Sequence, residues 1–141
     1  MSRRYMEEQI VSLLGGRVAE AMMLGDISTG ASNDIQRASQ LARRMVSVYG
    51  MSEKLGAISF ESGSDEIFIG RSMAHAKPYS EAVAAQIDEE VKSIIDAAYA
   101  RCEEILAASK GTLEKVAVYL LENETMDAAT FEEICKEEKE A

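Results

Sequence analysis

The 141-residue sequence holds a single histidine, His75, and this scarcity limits the chemistry that the chain can carry by itself. A zinc site of the HExxH type needs two histidines on one helix face, and neither that motif nor a complete phosphate-binding loop occurs in the sequence. The two cysteines, Cys102 and Cys135, provide no disulfide framework, fit a reducing compartment and are expected in the core. A self-contained metalloenzyme or ATPase is therefore not expected.

The sequence also lacks long apolar runs and an excess of basic residues. No uninterrupted apolar run approaches the ~18 residues of a membrane span, and the first ten residues do not form a signal peptide. The net charge is −10, and residues 81–141 carry the excess, with 16 acidic and 6 basic groups. We therefore expect a soluble segment with no membrane contact and no nucleic-acid partner. Acidic runs such as 88–90 are interpreted as solvated helix faces.

The fold class is predicted from apolar side chains that recur every three or four residues. One helical pattern runs from about residue 4 to 24 and ends at Gly25, and a second covers about 30–49 with Thr29 or Ser32 as its N-cap. Gly50, directly after Tyr49, ends the second helical pattern. The sequence thus begins with two helices.

The remaining residues predict one small β-hairpin and a helical bundle. Two β-prone runs, Ala57–Phe60 and Glu66–Ile69, flank a turn at 62–65, and Pro78 lies in a hinge at 71–79. A long helix capped by Ser80 follows, to about residue 108. After a break at Gly111, shorter helices at 112–121 and after Asp127, the last burying Phe131 and Ile134, complete an antiparallel bundle. The prediction is a mostly α single domain, 1–141, in three parts: 1–50, 51–79 and 80–141.

Charged residues lie on apolar faces of both N-terminal helices. Asp34 falls between Leu41 and Met45 on the helical wheel, and Arg17 falls beside Ile10. A buried carboxylate must be paired, hydrogen-bonded or bound to a metal. Asp34 therefore either accepts from the free N–H groups at the helix start, pairs with Arg17, or serves as a metal-binding or catalytic residue.

Glu20 and His75 have simpler interpretations. Glu20 follows Arg17 by three residues and is expected to form an ion pair with it along the helix. Arg17 itself is expected to be buried or nearly so and paired with an acid, with Glu20 or Asp34 as the first candidates. His75 has no Cys or Glu at ligand spacing and is interpreted as a solvated loop residue.

Two segments, GGRVAE at 15–20 and STGASND at 28–34, resemble the C-terminal peptidase region of the FtsH family. These are membrane-anchored, ATP-dependent zinc metalloproteases of bacteria and organelles. The resemblance continues through the segments at 49–56, 68–71, 87–91 and 124–127, so it covers nearly the whole chain in order.

The resemblance implies a role for residues 1–50 as zinc-site helices. Asp34 occupies the position of the family's aspartate zinc ligand, and Glu20 matches a glutamate that orients a ligand near the site. Gly15 and Gly16 would let the family's HExxH helix approach closely. The implied cofactor is zinc, and ATP with magnesium would be bound by a module that this sequence does not contain.

The sequence departs from the family pattern because the HExxH helix lies upstream of this segment. The two histidine ligands and the general-base glutamate are missing, so no catalytic residue is expected in this chain, and the fragment is expected to be inactive and without zinc. The resemblance implies a hexameric parent that degrades unfolded membrane and cytosolic proteins. That parent would be anchored in a membrane, the bacterial inner membrane foremost, with this domain in the cytoplasm. The alternative is a helical interaction module from a degenerate homologue, in which Asp34 only caps a helix.

Overall fold

The computed structural model describes residues 1–60 and 79–140. In this part of the chain the α-helices are α1 (Arg3–Leu24), α2 (Ser32–Ser47), α3 (Glu81–Ala108), α4 (Lys110–Asn123) and α5 (Ala128–Glu140), with a 3-10 turn at Thr29–Ala31. The mostly α class is confirmed. The Cα positions cluster into two compact units, Met1–Cys102 and Glu103–Ala141. The division of one domain at residues 50 and 79 stays a prediction.

The first helix is bounded by two local signals. Ser2 caps α1, since its hydroxyl accepts a hydrogen bond from the Tyr5 N–H at 3.1 Å. Gly25 ends α1 with a φ of 65°, which glycine adopts at no steric cost, and its N–H donates to the Ala21 carbonyl. Between them the buried side chains follow a four-residue step: Met6, Ile10, Leu14 and Val18.

The second helix packs against α1 and supplies the other half of this core. Its buried apolar residues are Ala38, Ala42, Met45 and Val46. Two of these four are alanines, whose small side chains permit the helix axes to approach closely. The predicted apolar face of α2 is therefore confirmed along its C-terminal half.

A loop after α2 takes the place of the first strand of the predicted hairpin. Residues 57–60 form no strand, and the Phe60 N–H donates at 2.6 Å to the Ser47 carbonyl at the end of α2. The backbone group that a strand partner would need is thus used by a helix terminus, so this part of the prediction is wrong. The second run, Glu66–Ile69, and its turn lie outside the described residues. The only bridge in the described part is an isolated one between Ser52 and Gly56.

The long helix α3 begins where the sequence predicted, and the Ser80 hydroxyl accepts from the Val83 N–H at 3.2 Å. Its core residues in the first unit are Ile87, Ala98 and Cys102. The acidic run at 88–90 does not only face solvent, since each of its side chains contacts α2 or the loop after it. Asp88 pairs with Arg43 at 2.9 Å, Glu89 pairs with Lys54 at 3.0 Å, and Glu90 accepts from the Ser52 hydroxyl.

The second unit contains α4 and α5, which pack against each other. The chain breaks at Ser109 rather than at Gly111, which lies inside α4. Asp127 caps α5 as predicted, because its carboxylate accepts from the Thr130 N–H at 2.8 Å. None of the residues of α4 is buried, and Phe131, which was predicted to be buried, is 48% exposed. Two short helices cannot enclose an apolar centre by themselves, which explains this exposure.

Candidate functional site

The predicted metal ligand, Asp34, lies in the first turn of α2. Its side chain is 50% exposed, and its partner in the described residues is the Arg37 guanidinium, with Nη1 at 3.9 Å from Oδ1. It makes no ion pair with Arg17 in this part of the chain, so that alternative is wrong. The N-cap of α2 is Ala31, which has no side-chain hydrogen bond, and Asp34 does not substitute for the missing cap.

The exposure of Asp34 has a local cause. The apolar face that α2 shares with α1 is buried at Ala38, Ala42, Met45 and Val46, whereas Ile35, one turn before Ala38, is partly exposed. The helical wheel placed Asp34 correctly on this face, but the face is uncovered at its N-terminal end within the described residues. The connection from α1 also exposes Leu24 and Ile27.

Glu20, near the end of α1, binds Ser28 in the connection to α2. One carboxylate oxygen accepts from the Ser28 N–H, and the other accepts from the Ser28 hydroxyl at 3.0 Å. The ion pair between Glu20 and Arg17 that the spacing predicted does not form. Arg17 donates to the Ser28 carbonyl instead, so both side chains bind Ser28 rather than each other.

Arg17 binds the same serine from the other side. Its Nη2 donates to the Ser28 carbonyl at 3.2 Å, while its Nε is buried with no hydrogen-bond partner in the described residues. Arg17 is therefore partly buried, as expected, but it pairs with a backbone carbonyl rather than with an acid. A carbonyl satisfies one of its donors and leaves its charge without a counterion in this part of the chain.

Ser28 connects these two side chains to the start of α2. Its hydroxyl also accepts from the Gly30 N–H at 3.2 Å and so caps the 3-10 turn. The Ser32 N–H then donates to the Thr29 carbonyl, and α2 continues from there. Sequence analysis named Thr29 or Ser32 as the cap and missed Ser28. The signal in the sequence was the preference of serine for caps, but nothing local in it points to Glu20.

The described residues do not form a complete metal site. No group of three or more His, Cys, Asp or Glu side chains is close enough to hold a metal ion in the part of the chain that the structure covers. An open cleft of about 390 Å³ contains Arg4 and Arg101, but it lies along the first turns of α1, away from Asp34. His75 lies outside the described residues. What the structure supplies at Asp34 is thus one accessible carboxylate.

The other residues that the sequence singled out are two cysteines and two glycines. Cys102 is buried in the first unit, as predicted, and Cys135 is partly buried in the second. A Cβ added at Gly15 or Gly16 would meet nothing within 4 Å in the described residues, so neither glycine is needed for packing there. The close approach of another helix at these glycines stays a prediction. None of the helices described is long and apolar enough to cross a bilayer.

Comparison with known proteins identifies the class. The model of a family described as peptidase family M41 matches residues 1–134, and the chain therefore belongs to this family. Among its relatives, the ATP-dependent zinc metalloprotease FtsH 1 of Thermoanaerobacter sp. (strain X514) is 50% identical over 134 residues, 95% of this chain and 22% of the relative. FtsH of Caldicellulosiruptor bescii is 50% identical over 97% of this chain and 22% of its own length.

A more distant relative is FtsH of Bacillus subtilis, also called an ATP-dependent zinc metalloprotease. It is 48% identical over 122 residues, which are 86% of this chain and 19% of the relative. The chain thus spans about a fifth of the length of the curated relatives that it matches.

Proposed function

We propose that this chain is part of an ATP-dependent zinc metalloendopeptidase and that Asp34 contributes one carboxylate ligand to its zinc ion. The observation that carries the proposal is the state of Asp34. It is a half-exposed carboxylate in the first turn of α2, with a single partner 3.9 Å away in the described residues. The position of this aspartate in a chain of peptidase family M41 supports the proposal.

The donor set fits zinc in part. A carboxylate oxygen is a normal zinc ligand, and catalytic zinc sites use three protein ligands and leave a fourth position for water or substrate. The sequence holds one histidine, so the two histidines of an HExxH motif must be supplied from outside this chain. When bound, zinc would supply an activated water for peptide hydrolysis. The general base would be the HExxH glutamate, which is likewise not in this sequence.

The residues of this chain then have distinct tasks. Asp34 would hold the metal through its carboxylate, and Glu20 would orient the segment that carries Asp34 by its hydrogen bonds to Ser28. The partly uncovered apolar face around Ile35 and Leu24 would receive the HExxH helix. Burial of that face in the complete site would exclude water from the bound carboxylate.

The parent protein implied by this assignment has further parts. It would degrade unfolded membrane and cytosolic proteins, assemble as a hexamer, and bind ATP with magnesium in a separate module. It would be anchored in a bacterial inner membrane with this domain on the cytoplasmic side. The relatives' printed names support the ATP-dependent zinc metalloprotease activity alone.

A second candidate function is an interaction module of a degenerate homologue. It is favoured by the second unit, where α4 buries no residue and Leu121 is 85% exposed. In that case Asp34 would only place a negative charge near the N-terminus of α2, since it makes no capping hydrogen bond. The two functions differ in whether Asp34 affects zinc binding.

The test compares the 141-residue chain with the same chain joined to a segment that carries an HExxH helix. We expect the joined protein to retain one zinc ion through gel filtration in chelator and to cleave unfolded casein. The 141-residue chain should do neither, because one carboxylate gives too few bonds for a stable tetrahedral site. Zinc that survives chelator in the 141-residue chain, or none in the joined protein, would contradict the proposal.

A further inference from the structure

We infer that Arg17 is a further positioning residue for Asp34 and that it acts, together with the Glu20 contact proposed above, through Ser28. The two side chains lie near one another on α1, and both bind Ser28, which opens the turn that leads into α2. The inference rests on the proposed function, since it concerns how the carboxylate of Asp34 is held in place for zinc.

The contact from Glu20 uses both of its carboxylate oxygens. One oxygen accepts from the backbone N–H of Ser28, and the other accepts from its hydroxyl at 3.0 Å. Hydrogen bonds to a carboxylate are stronger than those between neutral groups, and two of them to one residue also fix its orientation. A glutamine at this position keeps one acceptor oxygen and turns an NH₂ group toward the second donor. That amide can still donate to the Ser28 hydroxyl oxygen, but the contact then lacks the negative charge that strengthens both bonds.

The contact from Arg17 fixes the other end of the same residue. Its Nη2 donates to the Ser28 carbonyl at 3.2 Å, so the N–H and the C=O of Ser28 are both held by α1. The arrangement leaves Arg17 Nε buried without a partner in the described residues, and an unsatisfied buried donor opposes folding. Stability alone therefore does not account for an arginine here, whereas the need to hold Ser28 does.

Ser28 transmits this restraint to α2. Its hydroxyl accepts from the Gly30 N–H at 3.2 Å, and the turn that it caps passes directly into α2 through the bond from Ser32 N–H to the Thr29 carbonyl. The N-cap residue Ala31 offers no side-chain hydrogen bond. The start of α2 thus depends on the turn, and Asp34 lies in that first helical turn. A ligand must be held to within about 0.5 Å of its productive place, so loosening the turn loosens the ligand.

The experiment uses the active protein that contains this chain. Arg17→Met and Glu20→Gln are compared with Arg4→Met and Glu8→Gln, which alter an exposed ion pair on the same helix. Three quantities are measured: zinc affinity by chelator competition, hydrogen exchange of the peptide covering 26–34, and kcat and KM for an unfolded protein substrate.

The expected effect is specific to the Ser28 contacts. Arg17→Met and Glu20→Gln should weaken zinc affinity about 10- to 100-fold. They should also speed amide exchange in 26–34 roughly fivefold or more, since that is the size of one lost hydrogen bond. The kcat should fall while KM stays near its original value. The Arg4 and Glu8 variants should match the unaltered protein in all three.

A pair of substitutions at Ser28 tests the positioning role if an Arg17 or Glu20 variant does not fold. Ser28→Thr keeps the hydroxyl and should retain zinc affinity and slow exchange. Ser28→Ala keeps its N–H bond to Glu20 but loses the hydroxyl bond to Glu20 and the cap on Gly30, and it should show the weaker affinity and the faster exchange.

Asp34→Asn in the same assays separates the inference from the proposed function. If Asp34→Asn loses zinc while the Arg17, Glu20 and Ser28→Ala variants behave like the controls, the positioning role is overturned and the ligand assignment stands. If Asp34→Asn keeps wild-type zinc affinity, the ligand assignment falls and the positioning role falls with it. Loss of zinc in Asp34→Asn together with weakened affinity in the Arg17 and Glu20 variants supports both.

Discussion

Glu20 binds Ser28 through both oxygens of its carboxylate: one oxygen accepts from the backbone N–H of Ser28, and the other accepts from its hydroxyl. The contact joins the last turns of α1 to the residue that opens the 3-10 turn before α2. The two residues are eight positions apart, but Gly25 ends α1 between them, so helical periodicity does not relate them. This contact places the connection between α1 and α2, and with it the helix that carries Asp34.

Gly50 is predicted to tolerate no side chain. Its φ is 61°, and a Cβ there would lie 2.9 Å from the Ala57 Cα, which is backbone and cannot move aside cheaply. Gly50→Ala should lower the free energy of unfolding by more than about 1 kcal/mol. Urea unfolding of the chain measures this effect.

Gly16→Ala is the matched control for that substitution. Gly16 lies inside α1, and a Cβ there meets nothing within 4 Å in the described residues. Alanine should stabilise the helix by roughly 1 kcal/mol. Equal urea midpoints for the two variants would contradict the assignment of Gly50.

The Asp127 cap is predicted to make the start of α5 sensitive to pH. Hydrogen bonds from the Thr130 side chain and from the Thr130 N–H lower the pKa of the Asp127 carboxyl below its ordinary value. The ionised Asp127 carboxylate therefore stabilises α5 fully at pH values above the ordinary aspartate pKa of about 3.9. This stabilisation is lost as the pH falls through the lowered pKa. A carboxyl-carbon NMR titration of Asp127 should have its midpoint below that of a solvated aspartate.

The control for the pH prediction is Asp127→Asn. Asparagine caps a helix about as well as aspartate but does not titrate. The acid fraying of α5 should therefore become smaller in this variant. An unchanged pH dependence of the exchange at Thr130 would show that Asp127 is not its source.

Ile87 is predicted to be a principal core residue of the first unit. It is fully buried. The next two residues of α3, Asp88 and Glu89, pair with Arg43 on α2 and with Lys54 in the loop after α2. Ile87→Ala should cost about 2–5 kcal/mol of unfolding free energy, from lost burial and a cavity. Ile58→Ala, at a largely exposed position in the same unit, should change it by under about 1 kcal/mol. Similar losses for the two would exclude the core assignment.

Helices were predictable from this sequence because their signals are local. The four-residue apolar step in α1, the glycine that ends it, and the caps at Ser80 and Asp127 all lie within one or two turns of the residues they control. The sequence predicts the break before α4 at Gly111, whereas the structure has it at Ser109, because a glycine near a helix start does not by itself interrupt a helix. Local rules therefore give the elements and leave their ends uncertain by a few residues.

The hydrogen-bond and ion-pair partners of individual residues were less predictable, because they depend on contacts between residues that are distant in sequence. The spacing of Arg17 and Glu20 predicted an ion pair, but Ser28 competes for both side chains. The run at 57–60 has β-prone residues, but its backbone bonds to the end of α2 instead. Asp34 was placed on the right face of α2 by periodicity, and its chemical role came only from the family resemblance.

The central claim, that Asp34 is a zinc ligand, is tested most directly by Asp34→Asn in a protein that joins this chain to an HExxH segment. The matched control is Asp96→Asn, which alters a similarly exposed aspartate paired to Lys92 on α3. The measurement is bound zinc together with the peptidase rate. Asp34→Asn should lose zinc and most of its peptidase activity because the neutral amide is a weaker ligand, whereas Asp96→Asn should keep both. Normal zinc content and near-normal peptidase activity in Asp34→Asn would contradict the claim.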